Sequence, residues 1–516
     1  MIKRLLESRP WWKDKKSIKS FSPEANFIWA IGIGWFNYDK LTVEGKEHPG
    51  KYVCINRFQN GYEINDKDNL FRNLWHNHKP DVKKVLSFVP ITFSFRTEEE
   101  DYRRDLQEFC RFFLSEERKV PLDQVKPLRT DIDSSGKEYN VYYEFQNHYH
   151  YGHEKRTFKN FKPEEVPKDR CLFNGKNLWM LKPGGLNRGK GLELFTSLDE
   201  LNGFLYLFSA GYDVVEYANM DYGDDDEIAP SLKALKNKNK PKKNPLVYKD
   251  TDFNTQIRCF VIQKYIEKPL VHYERKFDLR VFVLLTHERD LYVFSDAYVR
   301  LSSLPYDADK KNYLIHLTNN AVQVRSDSYG SVVKGNIVSI LDLEGQILKD
   351  QEHSDYKKPK IEKGYLMQRI KEITALTMDS TYEIMEDPKR SFNFELFGYD
   401  FMIDEEMKVW LIECNSVPAL GESNDYITKF MTRSLDDMLK LTIDKIFPRP
   451  EEYLRTTSTV YDLPNYPNTE NLWSFVKSYE TVDSVHTKKN VFWLLALRNR
   501  EERGLSQEAH LTLFTE

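Results

Sequence analysis

No two cysteines in this chain are spaced as C-x-x-C; Cys54, Cys110, Cys171, Cys259 and Cys414 lie scattered through 516 residues. That pattern excludes zinc-ribbon spacing and a disulfide framework, and it fits a reducing compartment. No run of 18 apolar residues occurs, so no membrane-spanning helix is expected. The opening MIKRLLESRPWWKDKK carries neither a long apolar core nor a small-residue cleavage site, and does not read as a signal peptide. A net charge of −4 gives no sign of nucleic-acid binding. Neither H-R-D nor D-F-G appears, which argues against a protein kinase. Internal repeats are absent too. What is present is ordinary for a soluble globular protein, with 40% hydrophobic and 30% charged residues. The length suffices for about three domains.

The most informative segment is FELFGYDFMIDEEMKVWLIECNS. It reads as two apolar strands, Phe397 to Asp404 and Lys408 to Asn415, joined by a polar turn. If the hairpin closes around Glu405–Lys408, the simplest register sets Asp400 opposite Glu413. Glu413 and Asn415 are two apart and share a face. Three oxygen ligands then converge at one end of an apolar ribbon. Unpaired acids there are costly, and a hard cation such as Mg²⁺ removes that cost. A solvated strand edge is the bland alternative.

LWMLKPGGLNRGKGLELF supplies a strand, a glycine-rich turn and a second strand. Gly184 to Lys190 satisfies G-x-x-x-x-G-K, but Gly191 stands where a P-loop needs Ser or Thr. Leu192 to Phe195 alternates like a strand and opens no helix, so the P-loop assignment fails. The reading is a hairpin lid whose backbone N–H groups, at Gly189 and Lys190 among others, approach a triphosphate. Lys182 adds charge from the first strand. A plain tight turn is the alternative.

RKFDLRVFVLL places Lys276, Asp278 and Arg280 on one face of a strand and Phe277, Leu279 and Val281 on the other. Its hairpin partner is LYVFSDAYVR. A turn centred on Glu288 pairs Lys276 with Arg300 and Asp278 with Tyr298, so two cations face each other and call for an anion between them. Salt bridges to Asp278 and Asp296 are the structural alternative.

Elsewhere, Thr97-Glu98-Glu99-Glu100 reads as a capping box before a helix bearing Tyr102, Leu106, Phe109 and Phe113. Further helices are expected across Leu198–Phe208 and Tyr365–Glu386. His148, His150 and His153 fall in a polar connecting stretch and read as loop before they read as metal ligands. An acidic cluster from Asp221 to Glu227 precedes Lys233, Lys236, Lys238, Lys240, Lys242 and Lys243, a pattern of surface loops. Beyond Pro450 the chain is polar until NVFWLLALRN.

These stretches, with VIQKYIEKPL, the YVR ending at Arg300 and IHLTNNAVQ, resemble the tubulin tyrosine ligase and tubulin tyrosine ligase-like family. Six separated motifs occur in the family's order between about Leu178 and Pro448; VPITF is a looser likeness, and Cys414 stands where an aliphatic residue is expected. The resemblance implies an α/β (α+β) ATP-grasp architecture. Its parts are an N-terminal subdomain (1–85), a central one with the lid and an insertion near 219–255 (86–265), a C-terminal one with the metal site (266–450) and a tail (451–516). It also implies an ATP- and Mg²⁺-dependent ligase joining a free amino acid to a carboxylate on tubulin or microtubules. Glutamate or glycine is favoured and tyrosine is possible. By this likeness Lys182 contacts the phosphates, and Gln263, Lys264, Tyr265 and Ile266 line the adenine slot. Lys276, Asp278, Arg280 and Arg300 face the γ-phosphate and acceptor, Thr318 and Asn319 border the same site, and Asp400, Glu413 and Asn415 hold Mg²⁺. A cytoplasmic monomer on the microtubule cytoskeleton, in a cilium or at a basal body, is the matching expectation, with neither nucleic acid nor membrane as partner. A small-molecule carboxylate–amine ligase and a silent microtubule-associated protein are the rivals.

Overall fold

Alternating and continuous apolar runs separated by short polar turns build mostly antiparallel sheets here, with helices packed against them. The computed structural model describes residues 1–10, 12–14, 27–30, 54–79, 81–97, 99, 102–125, 131–132, 138–139, 166–184, 191–209, 259–385, 393–421, 424–447, 449, 453, 461–479 and 509–513. The three histidines, the acid-then-lysine insertion, Gly189, Lys190 and NVFWLLALRN lie outside the described residues.

In chain order the strands are β1 (Trp12–Asp14), β2 (Phe27–Trp29), β3 (Cys54–Ile55), β4 (Thr92–Arg96), β5 (Asp131–Ile132), β6 (Glu138–Tyr139), β7 (Trp179–Pro183), β8 (Glu193–Phe195) and β9 (Cys259–Lys264). They continue with β10 (Val271–His272), β11 (Arg275–Leu285), β12 (Asp290–Leu301), β13 (Ile337–Ser339), β14 (Glu395–Ile403), β15 (Val409–Asn415), β16 (Trp473–Ser478) and β17 (Ala509–Leu513). Two sheets matter for the site. A four-stranded sheet runs β4-β9-β7-β8, and a seven-stranded sheet runs β13-β12-β11-β14-β15, with β10 on β11 and β16 on β12. A third, β1-β17-β2-β3, is parallel and ties the N-terminal region to the far end of the chain.

β11 shows how the core sets the site. Its odd residues Phe277, Leu279, Val281, Val283 and Leu285 enter the main apolar cluster. On the opposite face Phe282 and Leu284 join a second cluster, while Lys276, Asp278 and Arg280 are buried polar groups. One strand face therefore changes from charged to greasy along its length, and the charged end is the candidate site.

The helix expected after Thr97 starts at Tyr102 and runs to Arg118, burying Leu106, Phe109 and Phe113. Thr97 does not cap it. Glu99 pairs with Arg72, whose Nη2 donates to it at 2.9 Å, while Glu100, the acid that a capping box with Thr97 would use, lies outside the described residues. The helices Leu198–Ser209 and Tyr365–Met385 form where expected. The tail departs from its reading as featureless polar chain. Trp473, 5% exposed, pairs with Phe294 as β16 joins the central sheet, and its indole N–H donates to the Ser434 carbonyl at 2.9 Å.

Candidate functional site

At the β14–β15 hairpin, Asp404 Oδ1 accepts from the N–H groups of Glu406 and Lys408 at 2.9 and 3.0 Å and so fixes the turn. Near the turn Ile403 pairs with Val409 and Phe401 with Leu411. A bulge between Asp400 and Phe401 then brings Asp400 opposite Glu413 and Gly398 opposite Asn415. The Asn415 side-chain N–H donates to Glu413 Oε1 at 3.2 Å. Burial would raise the Glu413 carboxyl, but Lys67, Lys182 and Arg280 outweigh it and hold Glu413 well below the usual carboxylate range. Asp400 is buried beside two guanidiniums: Arg280 donates through Nε and, at 3.0 Å, through Nη2, and Arg300 through Nη2 at 2.9 Å.

The β11–β12 pair corrects one expectation. Next to the turn, Leu284 faces Tyr292 and Val283 faces Val293, as a turn centred on Glu288 requires. An irregularity between Val281 and Val283 then slips the register by two, so Asp278 faces Arg300 and Arg280 faces Tyr298. Lys276 and Arg300 are not opposed, and no anion is needed between them. Arg300 donates to both Asp278 oxygens at 2.6 and 2.7 Å. Thr318 Oγ1 donates to Asp278 Oδ2 at 2.6 Å. The result is a buried row, Thr318–Asp278–Arg300–Asp400–Arg280, in which each carboxylate lies against a cation. Arg300 stays charged: burial opposes the charge, and Asp278 and Asp400 more than offset it.

Facing this row, Lys182 of β7 is 5% exposed and donates to Gln263 Oε1 at 2.5 Å. Gln263 donates onward to Thr92 Oγ1 at 2.8 Å, which fixes its amide orientation. Burial lowers Lys182 to about 7, against pulls from Glu413 and Asp400. At neutral pH it is near half-charged, and a bound polyanion would favour the ammonium. A small cleft opens beside it, lined by Lys67, Leu70, Phe71, Leu411 and Ile412 among others. Lys182 and Gln263 share this face. Lys264, one residue on, turns away: its ammonium bonds the Leu178 carbonyl at 2.8 Å and Glu267, so its side chain belongs to the core and only its backbone is left for the slot. Ile266 is buried in the main core. Asn319 caps the short helix Asn320–Gln323 without a side-chain cap bond.

Two residues of the site escaped the sequence reading. Lys67 opens the helix Lys67–Asn77 and reaches Glu413 Oε2 at 3.5 Å, a pairing across more than 300 residues that no local pattern announces. His316 lies inside IHLTNNAVQ and is buried, its carbonyl accepting from Lys276 Nζ at 2.6 Å. Its Nε2 lies against the Lys310 carbonyl, so Nε2 carries the proton and Nδ1 accepts from the Tyr265 hydroxyl at 2.8 Å. Burial drives His316 to about 4, which keeps it neutral. Burial likewise brings Lys276 to about 8.

The sequence profile of the Tubulin-tyrosine ligase family matches residues 128–452, well over half of the chain. The chain belongs to that family. Its mixed helix-and-sheet fold is the ATP-grasp-like architecture of the family. Tubulin glycylase 3C of Tetrahymena thermophila is 29% identical over 285 residues, 54% of this chain and 22% of the relative. Tubulin glycylase 3B of Drosophila melanogaster is 29% identical over 288 residues, covering 54% and 31%. Tubulin monoglycylase TTLL3 of Homo sapiens is 25% identical over 280 residues, covering 53% and 25%. The chain thus spans between about a fifth and a third of the length of these family members.

Glu413, Asn415 and Asp400 offer oxygen donors only, the chemistry a hard dication takes. Asp400 Oδ2 is taken by two guanidinium protons, whereas Oδ1 accepts one and keeps a lone pair, so Oδ1 with the Glu413 and Asn415 oxygens fits Mg²⁺. Among the described residues no helix is long and apolar enough to cross a membrane.

Proposed function

We propose that this chain is an ATP- and Mg²⁺-dependent ligase that joins an amino acid, glycine first, to a carboxylate of tubulin. The supporting observation is the buried row of alternating charge, with Lys182 close enough to feel Asp400 and Glu413, on a chain of this family whose relatives carry glycylase names. Glycine is now set ahead of glutamate, with tyrosine behind both, because of those names.

A carboxylate does not acylate an amine unaided, so the acceptor carboxylate oxygen first attacks the γ-phosphorus of ATP. ADP leaves, and an acyl phosphate forms. The amine of the amino acid then adds to the acyl carbon, phosphate departs, and the amine loses a proton as the amide bond closes. Bound at Asp400, Glu413 and Asn415, Mg²⁺ would supply charge stabilisation for the transferring phosphoryl group. Lys182 and Gln263 bind and orient the nucleotide. Arg280 and Arg300, held rigid by Asp278 and Asp400, present fixed positive charge that needs no reorganisation as the phosphoryl group moves. Lys276, pinned by the His316 carbonyl, orients the acceptor, and Thr318 and Asn319 border it. Holding the reactants in register offsets much of the entropic barrier. Tubulin is the protein partner on this reading, and the microtubule cytoskeleton is the site of action.

Incubation with ATP, microtubules and labelled glycine, glutamate or tyrosine in turn tests the proposal. ATP-dependent incorporation of glycine is expected. Incorporation of tyrosine alone would overturn the choice of amino acid, and incorporation of none by a protein that binds ATP would overturn the activity.

A further inference from the structure

Gly398 stands on β14 two residues before Asp400 and directly opposite Asn415, whose side-chain N–H lies 3.3 Å from the Gly398 carbonyl. Its backbone needs no special freedom. What it lacks is room. A Cβ built there would stand 2.9 Å from Pro418 Cβ, 3.0 Å from Arg280 Cδ and 3.1 Å from Arg280 Nη1. Contacts that short force something to shift. An arginine end normally swings aside at little cost, but this one is held: Nε and Nη2 both donate to Asp400. The third nitrogen, Nη1, is the one lying over Gly398. Pro418 closes the other side from the loop that follows Asn415, and its ring cannot retreat by rotating a side chain.

We infer that Gly398 is a positioning residue: the missing side chain leaves the slot in which the Arg280 guanidinium lies flat between β11 and the 416–418 loop, square to Asp400. A methyl group at 398 would lift the guanidinium and lengthen at least one of its two bonds to Asp400, and the bound Asp400 would shift in turn. Arg300 shares that carboxylate, so the displacement reaches the whole charged row. Gly398 itself touches no reacting group; it acts through Arg280. The consequence for turnover rests on the ligase activity proposed above, whereas the packing of Gly398 against Arg280 does not.

A double-substitution cycle separates the two. Wild type, Gly398→Ala, Arg280→Lys and the double variant are compared by thermal melting and by ligation kinetics. Lysine has no Nη1, so the strain on the guanidinium is gone, while the contact with Pro418 Cβ remains in both backgrounds. The expected result is that Gly398→Ala lowers the melting temperature and reduces kcat/KM at least tenfold. In the Arg280→Lys background the same change should lower the melting temperature clearly less, and kcat/KM by a smaller factor. If Gly398→Ala alone does not fold, recovery of a cooperative melt by the double variant supports the inference. Equal melting shifts in the two backgrounds overturn it, as does a double variant that stays unfolded where Arg280→Lys alone folds, because Pro418 alone would then set the cost. A wild type that melts normally yet ligates nothing would remove the proposed activity, and the melting cycle would still decide on Gly398.

Discussion

Glu413 carries the heaviest electrostatic duty of any single side chain at the site. Lys67, Lys182 and Arg280 all favour its ionised form. Glu413→Gln keeps the shape and the apolar face of β15 and removes the charge, so a melting temperature within a few degrees of wild type and loss of ligation are expected. The loss is on the order of several kcal/mol of transition-state stabilisation if the metal is displaced. Substantial turnover by a folded Glu413→Gln protein, measured with labelled amino acid, would refute the role. The meeting of Asp400 with Glu413 was legible in the sequence because a short polar turn between two apolar strands leaves few registers. Arg300 was not legible in the same way. Its partner depends on a two-residue slip beyond Val283, and nothing in RKFDLRVFVLL marks where a ladder will break. Lys264 misled for another reason: strand alternation already turns it away from Gln263, and its pairing with Glu267 is an i, i+3 contact visible only once β9 has ended.

At the scale of elements, β12 is tied to the helix Asp425–Leu441 by a buried carboxyl. Asp296 accepts from the Tyr426 hydroxyl at 2.9 Å and from the Ala297 N–H at 2.8 Å. Burial nevertheless pushes it up from an ordinary 3.8 to about 7, with Asp342 adding to the rise. A folded pKa above the unfolded one means the folded state binds more protons between about pH 4 and 7. The stabilisation from this group is therefore full below about 4 and is lost as pH climbs through about 7. Asp296→Asn should remove about one proton from that linkage, so its stability should fall less than that of wild type between pH 5 and 8. Urea unfolding of both proteins across that range checks it, and parallel curves would sink the assignment. Glu395, which burial also raises to about 7, keeps part of the slope in both proteins. None of this was readable beforehand: SDAYVR shows an acid on a strand, but the Tyr426 that covers it comes 130 residues later. The long helices were readable because their apolar spacing is local, although the one after Thr97 starts only at Tyr102.

Over the whole molecule, residues 461–479, beyond Pro450, are part of the body. Leu463, Leu472 and Trp473 are buried with Phe294, Phe430 and Met438 in the second core, and Trp473 meets Phe294 edge-on at 5.3 Å. Arg433 reinforces the junction by donating to the carbonyls of Tyr461 and Pro467, each at 2.9 Å. Two features hid this from the sequence. WSFVKS alternates over a single short strand, and the edge of β12 that receives it is far away in the chain. The same core holds Ile2, Leu5 and Leu6, so both ends of the chain close over the sheet that carries Asp278, Arg280 and Asp400. Trp473→Ala should then cost about 3–5 kcal/mol, the range for emptying a large aromatic site, and more where the Ser434 carbonyl loses its donor. Because Phe294 lies on the strand that carries Arg300, the loss should reach the charged row and lower ligation together with stability. Denaturant unfolding and the labelled-glycine assay read the two effects side by side. A stability change under about 1 kcal/mol would mean that the tail packs on a core already complete without it.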